Sequence, residues 1–251
     1  MPRFETPDPI LLELDLVAAD LRIEAGDRAD TVIEVRPSDK SKRDDVNAAG
    51  RTRVEHSPGR VLVKTPRTWR VYSPRGYGGS VDVFVEVPAG SRVSAKSALG
   101  SIRCIGPLGE SQLKTGMGDV EVERAASVRL TTGAGDIEVD RVDGEAELSS
   151  GSGDIRAGEL HGPTLIKSGT GDVRVGEAAR GRVDARTGYG LIAIGIPDGT
   201  AAWLDLQTGY GQVRNDLERG GPPAPGEDSV EVRAHSGYGD ITISRVNRGT
   251  T

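Results

Sequence analysis

The sequence is poor in the residues on which several classes of protein depend. A single cysteine in 251 residues excludes intramolecular disulfides and cysteine-rich zinc sites. Aromatic residues make up only 4% of the chain, so aliphatic side chains must supply most of the core. The apolar runs are short and strand-like, and none is long enough for a membrane-spanning helix. We therefore expect no membrane insertion.

The charge balance narrows the class of partner. The net charge of −6 argues against a dedicated duplex-binding protein, which usually carries a basic excess, so nucleic acid is a disfavoured partner.

Residues 1–5 contain no apolar signal region, which predicts a cytoplasmic location.

Glycine, by contrast, is abundant: the chain has 35, where an average share of roughly 7% would give about 18. Many of these glycines belong to a recurring string, Ser/Thr-Gly-x-Gly-Asp, whose first glycines are 17, 18, 18, 19, 21 and 28 residues apart. Seven copies begin at Thr115, Thr132, Ser150, Ser168, Thr187, Thr208 and Ser236, and two of them have Leu191 and Gln212 in place of the aspartate. A degenerate copy begins at Ser97, and a regular period of this kind is typical of repeat architectures.

Apolar residues keep a fixed distance from these glycines. In the third copy they are Leu148 before the glycines and Ile155 and Ala157 after them, with the charged Arg156 between. Alternation with a period of two indicates strands that bury one face. Each repeat is therefore predicted to be a strand, a glycine corner, a second strand and a return loop. The glycines suit the corner because they reach positive φ at little steric cost.

We predict an all-β chain that forms a single-stranded parallel β-solenoid of roughly 18-residue coils, with helix nearly absent. An antiparallel β-sandwich or meander is the alternative, because its strands also alternate. Residues 1–90 are predicted to form irregular N-terminal coils and a cap, in which a worn copy of the repeat surrounds Asp20. Residues 91–246 are predicted to form the repeats, with an inserted loop at 217–229 and a flexible tail at 247–251. We expect one continuous domain.

Three features together resemble a known bacterial family. They are the repeated Gly-x-Gly-Asp-Val/Ile corners, the alternating N-terminal segment, and the stretches at 201–206 and 231–234. The pattern is similar to a family of domains of unknown function, common in actinobacteria and labelled adhesin-like. The resemblance spans essentially the whole chain, and it implies a β-solenoid fold with no established chemistry.

The corner residues are candidates for chemical sites. A column of aspartates, such as Asp136 and Asp154, could bind a divalent cation, but its spacing differs from that of calcium-binding β-rolls. We therefore expect each carboxylate to accept N–H groups at its own corner, and each Ser/Thr hydroxyl to hydrogen-bond along the sheet. Only His235 adjoins a Ser/Thr of the column, and Cys104 falls at an inward position. We expect no catalytic residue, no metal and no cofactor.

Three late corners carry tyrosine where the earlier corners carry Met117, Ala134, Ser152 and Thr170. Tyr189, Tyr210 and Tyr238 are predicted to occupy the same corner of successive coils, about 4.8 Å apart. Their rings could form a purely structural stack or a contact surface, since tyrosine is enriched in recognition sites. They are the candidate contact surface.

Basic residues are concentrated in residues 36–75, which hold 11 Lys/Arg against four acids. Such an asymmetry suggests an anionic partner, or self-association between a basic and an acidic surface. The candidate anionic-partner patch comprises Arg36, Lys40, Lys42, Arg43, Arg51, Arg53, Arg67 and Arg70.

Taken together, the sequence predicts a non-enzymatic scaffold or protein-interaction module, with an unidentified protein partner or a second copy of itself. The alternative is a regulatory protein that binds an anionic ligand or partner through residues 36–75.

Overall fold

Strands account for most of the chain in the computed structural model, which describes residues 2–66, 78–217 and 228–246. They group into two compact units, Met1–Ala126 and Ser127–Thr251. The predicted tail at 247–251, most of the predicted loop at 217–229, Arg67 and Arg70 lie outside the described residues.

The first unit contains one helix and the strands up to the beginning of β10. Its elements are β1 (Arg3–Glu5), β2 (Leu11–Asp15), β3 (Ala19–Gly26), β4 (Asp30–Pro37), α1 (Arg43–Arg51), β5 (Arg53–Ser57), β6 (Arg60–Lys64), β7 (Val81–Pro88), β8 (Arg92–Leu99) and β9 (Ile102–Met117). The boundary between the two units falls within β10 (Val120–Ala134). The remaining strands of the second unit are β11 (Ile137–Val142), β12 (Ala146–Ser152), β13 (Ile155–Leu160), β14 (Thr164–Thr170), β15 (Val173–Ala178), β16 (Gly181–Tyr189), β17 (Ile192–Pro197), β18 (Ala201–Tyr210), β19 (Val213–Asn215), β20 (Ser229–Tyr238) and β21 (Ile241–Val246).

Coils of two strands stack in parallel within each unit. In the second unit β12 pairs with β14 and β13 pairs with β15, both parallel and in register, so that Leu148 lies beside Ile166 and Ile155 beside Val173. In the first unit β2 lies between β6 and β8, and β3 lies between β7 and β9, again in parallel. The predicted solenoid is confirmed for these coils, and their parallel register excludes the antiparallel alternative.

The first and last coils of the chain both lie out of sequence order. In the first unit the coil β2–β3 comes first in the chain but lies inside the later coil β6–β7. In the second unit β20 lies between β16 and β18, so the last coil is inserted beneath the one that precedes it. The expectation that the tyrosine coils follow one another in chain order is therefore wrong. All strands of parallel coils present equivalent hydrogen-bonding edges, so main-chain hydrogen bonding does not by itself require the coils to stack in chain order.

The core is a set of aliphatic columns that run through the coils. Ile137, Ile155 and Val173 follow one another at the same inward position and are 0% exposed. Full burial of such a side chain is worth about 1.5–3 kcal/mol. Among the described residues, no aromatic side chain is part of this core.

The first unit contains antiparallel strands and helix α1 in addition to its parallel coils. Strands β5 and β6 form an antiparallel hairpin, with Gly59 at φ +72° in its turn. The helix is not predicted by the sequence. Asp45 in its first turn is buried and accepts the main-chain N–H of Ser80 at 2.9 Å and that of Asp39 at 3.1 Å, which ties the helix to the strands around it.

Candidate functional site: the tyrosine corner

In six of the corners the Ser/Thr hydroxyl donates a hydrogen bond to the neighbouring coil. Ser150 Oγ donates to the carbonyl of Gly135 at 2.9 Å, and Ser168 Oγ donates to that of Gly153 at 3.1 Å. The same bond recurs from Thr115, Thr187, Ser236 and Thr208. The hydroxyls thus donate along the stack, as predicted, but their acceptors are glycine carbonyls and not one another.

The two glycines are required by how closely the coils approach. A Cβ on Gly151 would lie 2.4 Å from the carbonyl oxygen of Gly133, and one on Gly153 would lie 2.0 Å from that of Gly135. Gly153 also has φ +146°, which L side chains rarely adopt. Any other residue at this second glycine would be strained and would force the coils apart.

The aspartate links one coil to the next. Asp136 Oδ1 accepts the main-chain N–H of Asp154 at 2.8 Å, and Asp154 Oδ1 accepts that of Asp172 at 2.9 Å. The expectation that each carboxylate serves its own corner is therefore wrong, because the N–H groups that need an acceptor belong to the following coil. The same bond is made by three further aspartates: Asp20 to Ser101, Asp172 to Leu191, and Asp240 to Gln212.

This arrangement explains one of the two corners that lack aspartate. Gln212 belongs to the outermost described coil, which has no following coil to serve. Within the ranges that the structure describes, no three His, Cys, Asp or Glu side chains converge as a metal site requires. The aspartate column is therefore assigned to coil stacking.

Only the residue between the two glycines is left unconstrained by the stack. Its side chain points into solvent in every described copy of the string: Met117, Ala134, Ser152, Thr170, Tyr189, Tyr210 and Tyr238. The early copies vary freely in size and polarity, whereas the last three all carry tyrosine. The fold does not require an aromatic residue here.

The three tyrosines form one continuous ladder, in the spatial order Tyr189, Tyr238, Tyr210. The Tyr189 and Tyr238 ring centroids are 4.9 Å apart with planes 5° from parallel, and those of Tyr210 and Tyr238 are 4.8 Å apart with planes 6° from parallel. Despite this stacking, the residues remain 59%, 49% and 69% exposed respectively. The prediction of one shared corner at this spacing is correct, but the order is not.

A strip of polar side chains borders the ladder. The glycines Gly188, Gly237 and Gly209 carry no side chain and separate the rings from an outward row of Arg186, His235 and Gln207, which are also in register. The ladder thus offers a rigid edge of aromatic carbon tipped with phenol hydroxyls, beside a strip with hydrogen-bonding groups. Tyrosine loses little conformational entropy on binding, so such an edge is suited to recognition.

No nucleophile and base are brought together at this corner. Ser236 is 0% exposed and donates to the Gly190 carbonyl at 2.9 Å, whereas its neighbour His235 faces solvent on the opposite side of the strand. Cys104 is buried, as predicted, and burial raises the pKa of its thiol to about 12.

The described residues of the basic patch lie on β4, on α1 and the turn before it, and on β5. Arg36 lies on β4, where it pairs with Glu34 and places its guanidinium carbon 5.4 Å from the Phe84 ring centroid. Lys42 precedes α1 and lies 3.7 Å from Asp39. The other described members are exposed: Lys40 before the helix, Arg43 and Arg51 at its two ends, and Arg53 on β5. A shared anionic site among these residues stays a prediction.

Comparison with known proteins places this geometry in a family. The family model described as Toastrack DUF4097 matches residues 11–244. Among solved structures, a candidate adhesin from Bacteroides fragilis is 13% identical, with 98% of this chain and 95% of the other covered and a TM-score of 0.51. A candidate adhesin from Parabacteroides merdae is 15% identical with the same coverages, 98% and 95%, and a TM-score of 0.51.

A third structure carries a different name. This candidate lipid-binding protein from Parabacteroides distasonis is 13% identical, with 98% and 95% coverage and a TM-score of 0.51. At such identities the likeness shows the shared fold alone. None of the curated proteins matches the chain. In the part of the chain that the structure describes, no helix has the length and apolar character needed to cross a membrane.

Proposed function

The chain belongs to the Toastrack DUF4097 family, and from that premise we propose that it is a non-enzymatic interaction module that binds a protein partner through the ladder of Tyr189, Tyr238 and Tyr210. The observation that carries this proposal is the position of the ladder. It occupies the one place in the repeated string that coil stacking leaves free, and its rings stay about half or more exposed.

A purely structural ladder is the competing explanation. Stacked aromatic pairs are worth about 0.5–1.5 kcal/mol each. The coils that carry Ser152 and Thr170 at the same position stack in the same parallel register without any ring. The ladder is therefore dispensable for stacking, and recognition accounts for three exposed aromatics in a chain with only five tyrosines.

The names of the similar structures point in the same direction. Two are candidate adhesins and one is a candidate lipid-binding protein, and these names describe binding rather than catalysis. The rigid tyrosine edge beside the row of Arg186, His235 and Gln207 suits a protein surface, where aromatic anchors are surrounded by polar contacts.

The test compares three immobilised baits in a quantitative capture from the native host. They are the wild-type chain, the double variant Tyr189→Ser/Tyr210→Ser, and the control Ser152→Ala/Thr170→Ala, which changes the same position in two coils without tyrosine. We expect a protein that is retained by the wild type and the control and lost from the tyrosine variant. Equal capture by all three baits would contradict the proposal.

A role for the basic segment is the second candidate function, favoured by the exposure of Lys40, Arg43 and Arg51 around α1. In the same capture, the variant Lys40→Glu/Arg43→Glu tests it. If that variant loses an anionic partner that the tyrosine variant retains, the basic segment and not the ladder is the contact surface.

A further inference from the structure

The outermost described coil of the second unit has an open edge. Strand β18 pairs with β20 and β19 pairs with β21, and among the described residues neither has a strand on its other side. Because the last coil is inserted inward, the strand left at the edge is ten residues long, from Ala201 to Tyr210.

Half of the main-chain groups of β18 point away from its partner. The Ala201 N–H donates to the carbonyl of Asp228 at 2.9 Å, on the side of β20. Every second residue of a parallel strand directs its N–H and C=O to the same neighbour. The N–H and C=O groups of Ala202, Leu204 and Leu206 are therefore directed away from β20, at the open edge of the sheet, where they offer a template for another strand.

The aliphatic core is also open at this edge. Val213 is 46% exposed, although its in-register neighbour Ile241 is 0% exposed. Leu204 is half-buried, whereas Val232 beside it is 0% exposed. The coil thus presents a cross-section of the core that a further coil would cover. Trp203, to which the repeat pattern gives no role, adds a 69% exposed aromatic ring on the outward face of the same strand.

Edge strands of monomers are usually protected by lysine, proline, a bulge or an inward-pointing charge. Strand β18 contains no lysine, arginine or proline, and its one charged residue, Asp205, points outward. Residues 201–215 carry Asp205 and Arg214 and so have no net charge, in a chain whose net charge is −6. Two copies of this face can therefore come into contact without the electrostatic repulsion expected between two acidic surfaces.

We propose that this edge pairs with a second copy of the chain, as a two-fold dimer in which β18 runs antiparallel to the second copy's β18. A two-fold arrangement is the commonest for homo-oligomers and closes the assembly at two copies. An axis through Leu204 sets Ala202 opposite the second copy's Leu206 and Leu204 opposite its counterpart, so the apolar residues on the core side of β18 face apolar ones. On the other side of the strand, Trp203 then lies opposite the second copy's Asp205. An axis through Asp205 would oppose two carboxylates directly and is disfavoured.

The test measures molar mass by light scattering coupled to size-exclusion chromatography. The wild type is expected at twice the 26.4 kDa of one chain, and the dimer should persist at about 1 M salt because the contact is backbone pairing and apolar burial. Leu204→Lys, which would bury an ammonium group between the copies, should give a monomer. The control Gln207→Lys adds the same charge on the outward face of β18 and should remain dimeric.

Ala202→Pro guards against a folding defect in Leu204→Lys. This substitution removes only an N–H that points away from β20, which an edge strand tolerates. The variant should therefore keep the melting temperature of the folded chain but no longer form the dimer. A wild type that is monomeric at every concentration would overturn the proposal. Dimers in both Leu204→Lys and Ala202→Pro, dissociation by salt, or assemblies that grow beyond two copies would equally overturn it.

Discussion

Asp154 Oδ1 accepts the main-chain N–H of Asp172 at 2.9 Å, so the carboxylate of one coil satisfies the corner of the next. A hydrogen bond to a charged acceptor contributes about 1.5–3 kcal/mol when it is well shielded, and this one is partly exposed. We expect Asp154→Ala to lower the free energy of unfolding by about 1–2 kcal/mol, measured by urea denaturation.

Two variants test whether the acceptor or the charge matters. Asp154→Asn keeps an oxygen at the same place and should cost clearly less than Asp154→Ala. Glu138→Ala removes a carboxylate from the exposed face of β11 and should change stability by less than about 0.5 kcal/mol. Equal losses for Asp154→Ala and Glu138→Ala would refute the cross-coil role.

The second glycine of the corner tolerates no side chain. Gly153→Ala combines φ +146° with a Cβ 2.0 Å from the Gly135 carbonyl oxygen, and we expect a loss of about 2 kcal/mol or more. Gly199 supplies the control, since it has φ +81° but a Cβ added there would meet nothing within 4 Å. Gly199→Ala should cost only about 1 kcal/mol, so a similar melting temperature for the two variants would show that close coil approach is unimportant.

The inserted order of the last coils can be read by disulfide formation. Arg186 lies beside His235, and Gln207 lies beside His235 on its other side. Neighbouring strands are about 4.8 Å apart, within the Cα separation of about 4.4–6.8 Å that a disulfide spans. Arg186→Cys/His235→Cys should therefore oxidise within one chain, whereas Arg186→Cys/Gln207→Cys, two strands apart, should not. The reverse result would place the coils in chain order.

The buried thiol of Cys104 gives a pH-dependent prediction. Burial raises its pKa from 9.0 to about 12, so the folded state disfavours the thiolate. As the pH rises above 9.0 the unfolded chain loses this proton while the folded chain keeps it, and stability should fall. The difference in unfolding free energy between the wild type and Cys104→Ala isolates this contribution. A thiol reagent should label the wild type only after unfolding, and rapid labelling of the folded chain would contradict the assignment.

Much of this architecture could be predicted from the sequence because stacking repeats its demands in every coil. The inward aliphatics such as Ile155, the glycine corners and the shared corner of the tyrosines all follow from positions at fixed offsets. Even the worn copy around Asp20 is a true coil, since its carboxylate makes the same bond as Asp154, here to the N–H of Ser101.

The remaining features depend on which coil lies beside which. Parallel coils with equivalent edges can stack in more than one order, so the sequence alone does not place Tyr238 between Tyr189 and Tyr210. For the same reason the sequence does not reveal which N–H the Asp154 carboxylate accepts, because the repeat pattern locates the carboxylate but not the coil beside it. Helix α1 escapes prediction because it is only nine residues long and has no side-chain N-cap.

Site-specific photocrosslinking shows whether the corner position left free by stacking is where the protein binds its partner. A photoreactive phenylalanine analogue is introduced at Tyr189 or Tyr210, and at Ser152 as the matched corner position in a coil without tyrosine. We expect a crosslinked protein partner from positions 189 and 210 and none from position 152. Crosslinks of equal yield at all three positions, or crosslinks at 152 alone, would contradict it.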